Sequence, residues 1–278
     1  MRVGFLGPEG TFSEEALLAT PTDGLEPVPL PTIYDTVMAV HEGTVERALV
    51  PIENSQEGSV NATLDALAVE AQDVEIVGEA VHPIRTCLVA REQLELEQIE
   101  AVVSHPQVNA QCARFIRTHL LNATVLAASS SADAVRMVAE AEGKPWAALS
   151  TKLAADLYGC EILRAGVEDV ADNETRFVWL AKRGAPAAES NGPWKTSVVF
   201  WGVGSQEPGW LVRCLSEFAF RGVNLTKIES RPRKQGLGAY MFFIDLEGHV
   251  DDQPVAEALS GLHTHSEQVR TLGTYPAA

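Results

Sequence analysis

Four times before Gly159, a short apolar run ends in a turn and is followed at once by a helical pattern. The apolar runs cover residues 3–6, 48–52, 101–103 and 147–149. Short strands that alternate with helices are typical of an α/β domain with a largely parallel sheet. This order of segments therefore predicts an α/β fold for the first part of the chain.

Small, amide, acidic or hydroxyl side chains lie at each of these turns. In chain order they are Thr11 and Ser13, Glu53 and Asn54, Ser104, and Ser150 and Thr151. Unpaired N–H groups and the helix dipole favour an anion at a helix start, and ligands of open α/β sheets lie beyond the carboxyl ends of strands. Each turn alone is better explained by ordinary helix capping. Four together favour a small, buried site for a carboxylate or a phosphate.

The chain has a formal net charge of −17, concentrated before residue 185. An acidic domain repels anions at long range, so local donors such as Arg85, Lys152 or Arg176 have to hold an anionic ligand. The absence of clustered Lys and Arg argues against nucleic-acid binding. The four cysteines lie far apart, with no CxxC pair and no close histidine, so we expect reduced core thiols and no metal site.

No apolar run approaches the roughly 20 residues that span a bilayer. The apolar stretch at the N-terminus is also too short for a signal peptide. We therefore expect a cytoplasmic protein without membrane contact.

Residues 182–193 are rich in small residues, Pro and Gly, a composition typical of a linker. This segment predicts one domain at residues 1–184 and a second at residues 194–278. Before it, residues 169–182 read as a polar turn that enters a β-branched and aromatic strand.

The first domain is expected to have two lobes, one of about residues 1–79 with 174–184 and one of residues 80–173. The late strand then returns to the first lobe and places Asn173, Thr175 and Arg176 at the hinge. Hinges between lobes commonly hold ligands.

After the linker, the patterns predict strand, helix, two strands, helix and strand. The segments are residues 196–201, a helix that begins near Pro208, residues 225–231, residues 239–246, residues 254–263 and residues 269–275. This βαββαβ order fits a ferredoxin-like sandwich.

Five segments of the first domain resemble the prephenate dehydratase family. They are GPEGTFS at 7–13, PIENS with GSV at 51–60, SHPQ with QC at 104–112, LST at 149–151 and NETRF at 173–177. The resemblance covers nearly the whole domain. It implies a two-lobed fold similar to type 2 periplasmic binding proteins. It also implies a carbon–oxygen lyase that converts prephenate to phenylpyruvate, water and CO2 in phenylalanine synthesis.

The resemblance also implies roles for the matched residues. Thr175 is the expected catalytic hydroxyl, while Glu53, Asn54, Ser104 and Gln111 orient the substrate or support that hydroxyl. The expected substrate-binding residues are Thr11, Ser13, Ser150, Thr151, Asn173, Arg176 and Phe177. The family's reaction needs no metal or cofactor. From the residues alone, Glu53 and Asn54 could simply form a turn, and Gln111 could face solvent.

The last part of the chain resembles the ACT domain of this family. Its predicted effector-binding residues are Gly209, Trp210, Leu211, Val212, Glu229, Ser230, Arg231 and Pro232. The resemblance implies that it binds L-phenylalanine or another amino acid and pairs to form a homodimer or homotetramer. The family usually has Ala where this chain has Trp210. The indole either fills part of the effector pocket or lies in a subunit interface or against the first domain.

Two alternative functions stay open at this point. A relative that uses arogenate, or that decarboxylates prephenate without aromatisation, would share most of these turns. A sensor without catalytic activity would bind the same ligands and leave them unchanged.

Overall fold

The computed structural model describes residues 1–21, 24–185, 192–202 and 207–278. The predicted linker lies partly outside these residues. In chain order, the strands and helices are β1 (Arg2–Leu6), α1 (Phe12–Ala19), β2 (Glu26–Leu30), α2 (Ile33–Glu42), β3 (Arg47–Asn54), β4 (Gly58–Ser59), α3 (Asn61–Asp65), β5 (Val74–Pro83), β6 (Cys87–Ala90), β7 (Ala101–Ser104), α4 (Pro106–Gln111), α5 (Ala113–His119), β8 (Thr124–Ala127), α6 (Ser131–Glu140), β9 (Trp146–Ser150), α7 (Lys152–Tyr158), β10 (Glu161–Ala165), β11 (Glu174–Lys182), β12 (Trp194–Trp201), α8 (Trp210–Ala219), β13 (Leu225–Pro232), β14 (Tyr240–Glu247), α9 (Gln253–His265) and β15 (Gln268–Pro276).

The chain forms two compact units. The first comprises residues 1–36, 53–58 and 81–176, and the second comprises residues 37–52, 59–80 and 177–278. Residues 37–52 and 59–80 are thus grouped with the C-terminal part of the chain. The predicted division at residues 184 and 194 does not coincide with a unit boundary, and it stays a prediction.

The first unit contains a five-stranded sheet in the order β10-β6-β9-β7-β8. Strand β7 pairs in parallel with β8 and β9, while β6 pairs antiparallel with β9 and β10. Its core includes the fully buried side chains of Leu88, Val102 and Leu149, against which Phe115 packs. Strands β7, β8 and β9 are parallel and are connected by helices α4, α5 and α6, which confirms the predicted α/β class.

Strand β2 also belongs to the first unit, where it pairs in parallel with β1. The backbone N–H of Glu26 donates to the carbonyl oxygen of Met1, and the carbonyl oxygen of Leu30 accepts from Gly7. Even-numbered residues of β2 therefore direct their backbone groups toward β1. The backbones of Pro27 and Pro29 face the opposite side, where a proline removes no hydrogen bond to β1.

The helical pattern that follows the apolar run at residues 101–103 does not form one continuous helix. It breaks at Cys112 into α4 and α5. The carboxylate of Asp169 accepts hydrogen bonds from the backbone N–H groups of Arg114 (2.8 Å) and Phe115 (3.2 Å), which gives α5 a separate start.

Most of β3, β11 and β5 belongs to the second unit, where these strands lie side by side in that order. Residues 194–278, here called the C-terminal module, have the predicted βαββαβ order and an antiparallel sheet in the order β13-β14-β12-β15. Helices α8 and α9 cover one sheet face through a core that includes Phe200, Phe218 and Leu262.

The C-terminal module packs against β5 within this unit. A Cβ atom at Gly273 would overlap the carbonyl oxygen of Ile76, so only glycine permits this approach of the backbones. The Nζ atom of Lys195 lies 2.7 Å from a carboxylate oxygen of Glu79, whose side chain is 2% exposed.

No helix among the described residues is long and apolar enough to cross a membrane. Within the same residues, no three His, Cys, Asp or Glu side chains are arranged to hold a metal ion. All four cysteines are free, and Cys87, Cys112 and Cys214 are buried. Burial raises the pKa of the Cys112 thiol to about 12, so this thiol is protonated at neutral pH.

Candidate active site

Asn54 lies at the end of β3 and is the centre of a polar network in the first unit. Its Nδ2 atom donates to Oγ1 of Thr175 (2.9 Å) and to Oδ1 of Asn173 (2.8 Å). Its Oδ1 atom accepts from the backbone N–H groups of Gln56 (2.9 Å) and Glu57 (3.1 Å). Because a backbone N–H can only donate, these two contacts fix the orientation of the Asn54 amide.

This orientation determines what the Thr175 hydroxyl can do. Its oxygen accepts a hydrogen bond from Asn54, so its own hydrogen stays available for another acceptor. Thr175 is 8% exposed and follows the first residue of β11, which fixes its backbone in the sheet. The site therefore presents one oriented hydroxyl donor.

Gln111 extends the network on the other side of Asn173. The fully buried Asn173 donates from Nδ2 to Oε1 of Gln111 (3.3 Å), and Gln111 donates from Nε2 to a carboxylate oxygen of Glu57 (3.1 Å). Glu57, Gln111, Asn173, Asn54 and Thr175 are here called the amide network. Gln111 thus contacts site residues, and the alternative that it only faces solvent is wrong.

The neighbouring turn residue Ser55 was not predicted to belong to the site. Its hydroxyl accepts from the backbone N–H of Glu174 (3.0 Å) and donates to the carbonyl oxygen of Asp172 (3.3 Å). The backbone N–H of Ser55 also donates to the carbonyl oxygen of Glu174 (2.9 Å). Ser55 ties the turn after β3 to the start of β11, next to Thr175.

Arg176 supplies a positive charge beside the network. Its Nη1 atom lies 3.6 Å from a carboxylate oxygen of Glu53, and its side chain is 12% exposed. Of the other two predicted donors, Arg85 pairs with Glu168 (3.1 Å), and Lys152 is exposed at the start of α7. Arg176 is therefore the best placed of the three to hold an anion next to Thr175.

The remaining turns mainly use their hydroxyl groups for local structure. Thr151 donates from Oγ1 to the carbonyl oxygen of Gly10 (2.7 Å) and accepts from the backbone N–H of Ala154 (2.9 Å). Ser104 donates to the carbonyl oxygen of Leu149 (2.7 Å). These bonds connect the turns to one another and support the capping explanation for Thr151.

The turn before α1 has the predicted capping pattern. Thr11 accepts from the backbone N–H of Glu14 (3.4 Å), and the Glu14 carboxylate accepts from the backbone N–H of Gly10 (2.5 Å). Burial raises the pKa of Glu14, although the hydrogen bond from Gly10 opposes this effect. Ser13 is buried in the first turn of α1.

Two predicted substrate-binding residues differ in their surroundings. The buried hydroxyl of Ser150 has no hydrogen-bond partner within the described parts of the chain, so it can still bind a ligand atom. Phe177 is 1% exposed and contributes mainly apolar packing.

The structure places Trp210 in the core of the C-terminal module, which neither sequence-based alternative anticipated. The indole is 3% exposed and packs near the rings of Phe200 and Phe242. Its Nε1 donates to the carbonyl oxygen of His265 (2.6 Å). The neighbouring Gly209 adopts a positive φ of 79° at the start of α8, and Val212 is 67% exposed, while Leu211 packs against the module's core.

The second group of predicted effector residues lies on β13. Ser230 and Pro232 are exposed, whereas Glu229 and Arg231 contact residues that precede the C-terminal module. These contacts, with Ser59 and Asp65, were not foreseen because they join segments far apart in the chain.

An oriented threonine hydroxyl, an amide network and a partly buried arginine on an α/β domain define a candidate enzyme site for a small anionic substrate. Residues 3–185 match the family model of prephenate dehydratase. The chain belongs to the prephenate dehydratase family, as its motifs predict.

Similar proteins extend along almost the whole chain. The prephenate dehydratase of Mycobacteroides abscessus is 41% identical and covers 99% of this chain, which spans 90% of that protein. A crystal structure of prephenate dehydratase with L-Phe from Arthrobacter aurescens is 40% identical, with a TM-score of 0.90, and covers 99% of this chain and 90% of its own. A structure described as a novel type of quorum-quenching acylase is 33% identical, with a TM-score of 0.88, and the match covers 100% of this chain and 98% of that one.

Proposed function

We propose that this chain converts prephenate to phenylpyruvate, water and CO2 in phenylalanine synthesis. The observation that carries the proposal is the hydrogen bond from Asn54 to Thr175, because it leaves the threonine hydroxyl as an oriented donor. Family membership supplies the substrate, and the site supplies groups that suit it.

The reaction breaks two bonds of prephenate. The ring C–O bond breaks as the hydroxyl group leaves with the bonding electrons and takes up one proton, which comes ultimately from solvent, to become water. The bond from the ring to a carboxylate breaks as CO2 leaves and its electron pair enters the ring. The ring becomes aromatic, which provides the driving force. Negative charge develops on the departing oxygen, and we assign Thr175 as the hydrogen-bond donor to this atom.

Threonine is a weak acid in water, so its contribution comes from orientation. A fixed hydrogen-bond donor aimed at developing charge is worth roughly 2.7–4 kcal/mol in a site that excludes water. Asn54 fixes the oxygen of Thr175, Asn173 accepts a hydrogen bond from Asn54, and Gln111 accepts one from Asn173. The amide network therefore acts on catalysis through Thr175.

Prephenate carries two carboxylates, and Arg176 is the group that we assign to one of them. Its pairing with Glu53 orients the guanidinium and reduces the cost of its partial burial. The remaining contacts with the substrate are assigned to Thr11, Ser13, Ser150, Thr151 and Asn173. Glu53 orients Arg176, and Ser104 holds the third turn in place.

We further propose that residues 1–184 form a two-lobed catalytic domain of the type 2 periplasmic-binding-protein kind. The C-terminal module is assigned as a ferredoxin-like ACT domain that binds an amino acid and pairs to form a homodimer or homotetramer. Its βαββαβ order and its sheet order β13-β14-β12-β15 support this assignment.

A second candidate function is hydrolysis of an N-acyl amide. It is favoured by one observation, the full-length similarity at 33% identity to a protein described as a quorum-quenching acylase. The Thr175 hydroxyl is the group that such a reaction would share with the dehydratase.

One experiment separates these functions. The purified chain is incubated with prephenate, with arogenate or with an N-acyl amide, and phenylpyruvate, phenylalanine or released amine is measured. We expect phenylpyruvate from prephenate, seen as absorbance in base. Thr175→Val, which keeps the shape but removes the hydroxyl, is expected to lose about 10²–10³-fold in kcat, whereas Thr175→Ser keeps most of it.

Lack of phenylpyruvate from the wild-type chain would overturn the proposed function. Release of amine without phenylpyruvate would favour the acylase function. A kcat/KM for arogenate higher than that for prephenate would identify arogenate as the substrate. Full activity of a folded Thr175→Val variant would remove Thr175 from the mechanism.

A further inference from the structure

The turn that carries Glu53 and Asn54 is the loop of a hairpin, and its base is held by backbone and side-chain contacts. The backbone N–H of Val60 donates to the carbonyl oxygen of Ile52 (2.9 Å). The hydroxyl of Thr63 donates to the carbonyl oxygen of Pro51 (2.5 Å). A shift of residues 59–65 therefore moves the base from which residues 53–58 extend.

Two side chains at this base bind to β13 of the C-terminal module. The hydroxyl of Ser59 donates to a carboxylate oxygen of Glu229 (2.7 Å). The guanidinium of Arg231 donates to both carboxylate oxygens of Asp65, from Nε at 3.1 Å and from Nη2 at 2.9 Å. We call these two contacts the β13 clasp.

The geometry of the clasp is specific. Glu229 and Arg231 are two residues apart on a strand, so both point to the same sheet face, while Ser230 between them is exposed. The two-pronged contact between Arg231 and Asp65 fixes direction as well as distance, and lysine could not reproduce it. The Asp65 and Arg231 side chains are only 16% and 19% exposed, so water weakens the pair less than it weakens a surface pair.

The clasp uses two of the side chains that the sequence assigns to effector binding. Both are already bound to the hairpin base in this structure. Their position suits a second task, which is to hold the loop that carries part of the amide network.

We propose that Asp65 and Ser59 are positioning residues for the reaction, because the β13 clasp holds the hairpin base in the arrangement that presents Asn54 to Thr175. This inference rests on the proposed function. It predicts that contacts made on β13 set the turnover number of the site.

The test compares variants of the full chain in steady-state kinetics with prephenate. Asp65→Asn keeps the shape of the side chain but removes the charge that Arg231 binds. We expect its kcat to fall by about ten- to a hundredfold while KM changes little, because small misplacements of catalytic groups have effects of this size. Asp65→Glu keeps the charge that Arg231 binds and is expected to recover much of the lost kcat.

Lys195→Gln is the matched control. It breaks the Lys195–Glu79 ion pair, which also joins the C-terminal module to residues 59–80, but at β5 and away from the hairpin base. We expect a lower melting temperature with an unchanged kcat. Thermal unfolding of all variants shows which of them are folded at the assay temperature.

Wild-type kcat in a folded Asp65→Asn variant would overturn the positioning role and leave the proposed function intact. An equal loss of kcat in Lys195→Gln would overturn it as well, because any weakening of the module's packing would then have the same effect. Absence of turnover in the wild-type chain would overturn the proposed function and the positioning role together.

Discussion

Asn54 donates a hydrogen bond from Nδ2 to Oγ1 of Thr175, 2.9 Å away, while two backbone N–H groups hold the opposite end of its amide. The direction of this bond matters more than its presence. If the threonine were the donor, its hydrogen would be directed at Asn54 and could not meet a departing hydroxyl.

The substitution Asn54→Asp tests this direction. Aspartate is almost the same shape but can only accept when ionised, so the Thr175 hydroxyl is expected to turn and donate to it. We expect kcat for prephenate to fall by about 10²-fold, similar to the loss of one oriented donor. The same substitution at the exposed Asn122, which lies outside the hairpin and its base, adds an equal charge and should leave kcat unchanged. Equal activity of Asn54→Asp and wild type would contradict the assigned direction.

Substitution of Trp210 is expected to lower the stability of the C-terminal module. Its indole is buried in the core of the C-terminal module, so Trp210→Ala should lower the free energy of unfolding by about 3–5 kcal/mol. Trp210→Phe retains most of the packing and loses the bond to His265, which is worth about 1 kcal/mol. Urea unfolding of both variants measures the difference. A stable Trp210→Ala variant that becomes sensitive to phenylalanine would instead place the indole in an effector pocket.

Gly273→Ala is expected to disturb the packing of β15 against β5. The added methyl group overlaps the backbone of Ile76, which cannot move aside as a side chain can, so we expect a loss of about 1–3 kcal/mol. Gly78→Ala on β5 is the matched control, because its nearest neighbour is a side-chain atom of Trp179 at 3.5 Å. Similar melting temperatures for the two variants would show that the close approach is not required.

The pH dependence of stability should reveal the charge on Asp65. Burial acts to raise its pKa, but hydrogen bonds from Arg231 and Lys234 outweigh burial and hold the pKa below its ordinary value of 3.8. A carboxyl group with a lowered pKa stabilises the folded state above its unfolded pKa, and this contribution is lost as the pH falls through the folded pKa.

We therefore expect Asp65→Asn to be less stable than wild type by about 1–3 kcal/mol near neutral pH. The difference should stay constant down to about pH 5 and shrink only below the ordinary value of 3.8. Urea unfolding at several pH values provides the measurement. A difference that grows toward acid pH would contradict an ionised Asp65 in the folded protein.

Much of the fold could be predicted because its signals are local. Apolar runs followed by capping residues mark β1, β3, β7 and β9, and the βαββαβ pattern of the C-terminal module is equally clear. Strand β2 was not predicted, since two prolines in five residues argue against a strand unless it has a free side. The break at Cys112 depends on Asp169, a residue too distant in the chain for any local pattern.

The site was predictable to a similar extent. Family motifs identified Asn54, Gln111, Asn173 and Thr175, which the structure brings into one network. They could not show the direction of the hydrogen bonds, which depends on two backbone N–H groups. Nor could they show that Arg231 is bound to Asp65, because this contact exists only after two remote segments have packed together.

The prolines of β2 have a consequence for the chain's behaviour among other chains. An unpaired strand edge is a template on which a further strand can add, and such additions lead to aggregation. On β2, Pro27 and Pro29 have no N–H group to donate to a further strand, while the hydrogen bonds between β2 and β1 are kept. This edge of the folded sheet is therefore a poor template for strand pairing between neighbouring molecules.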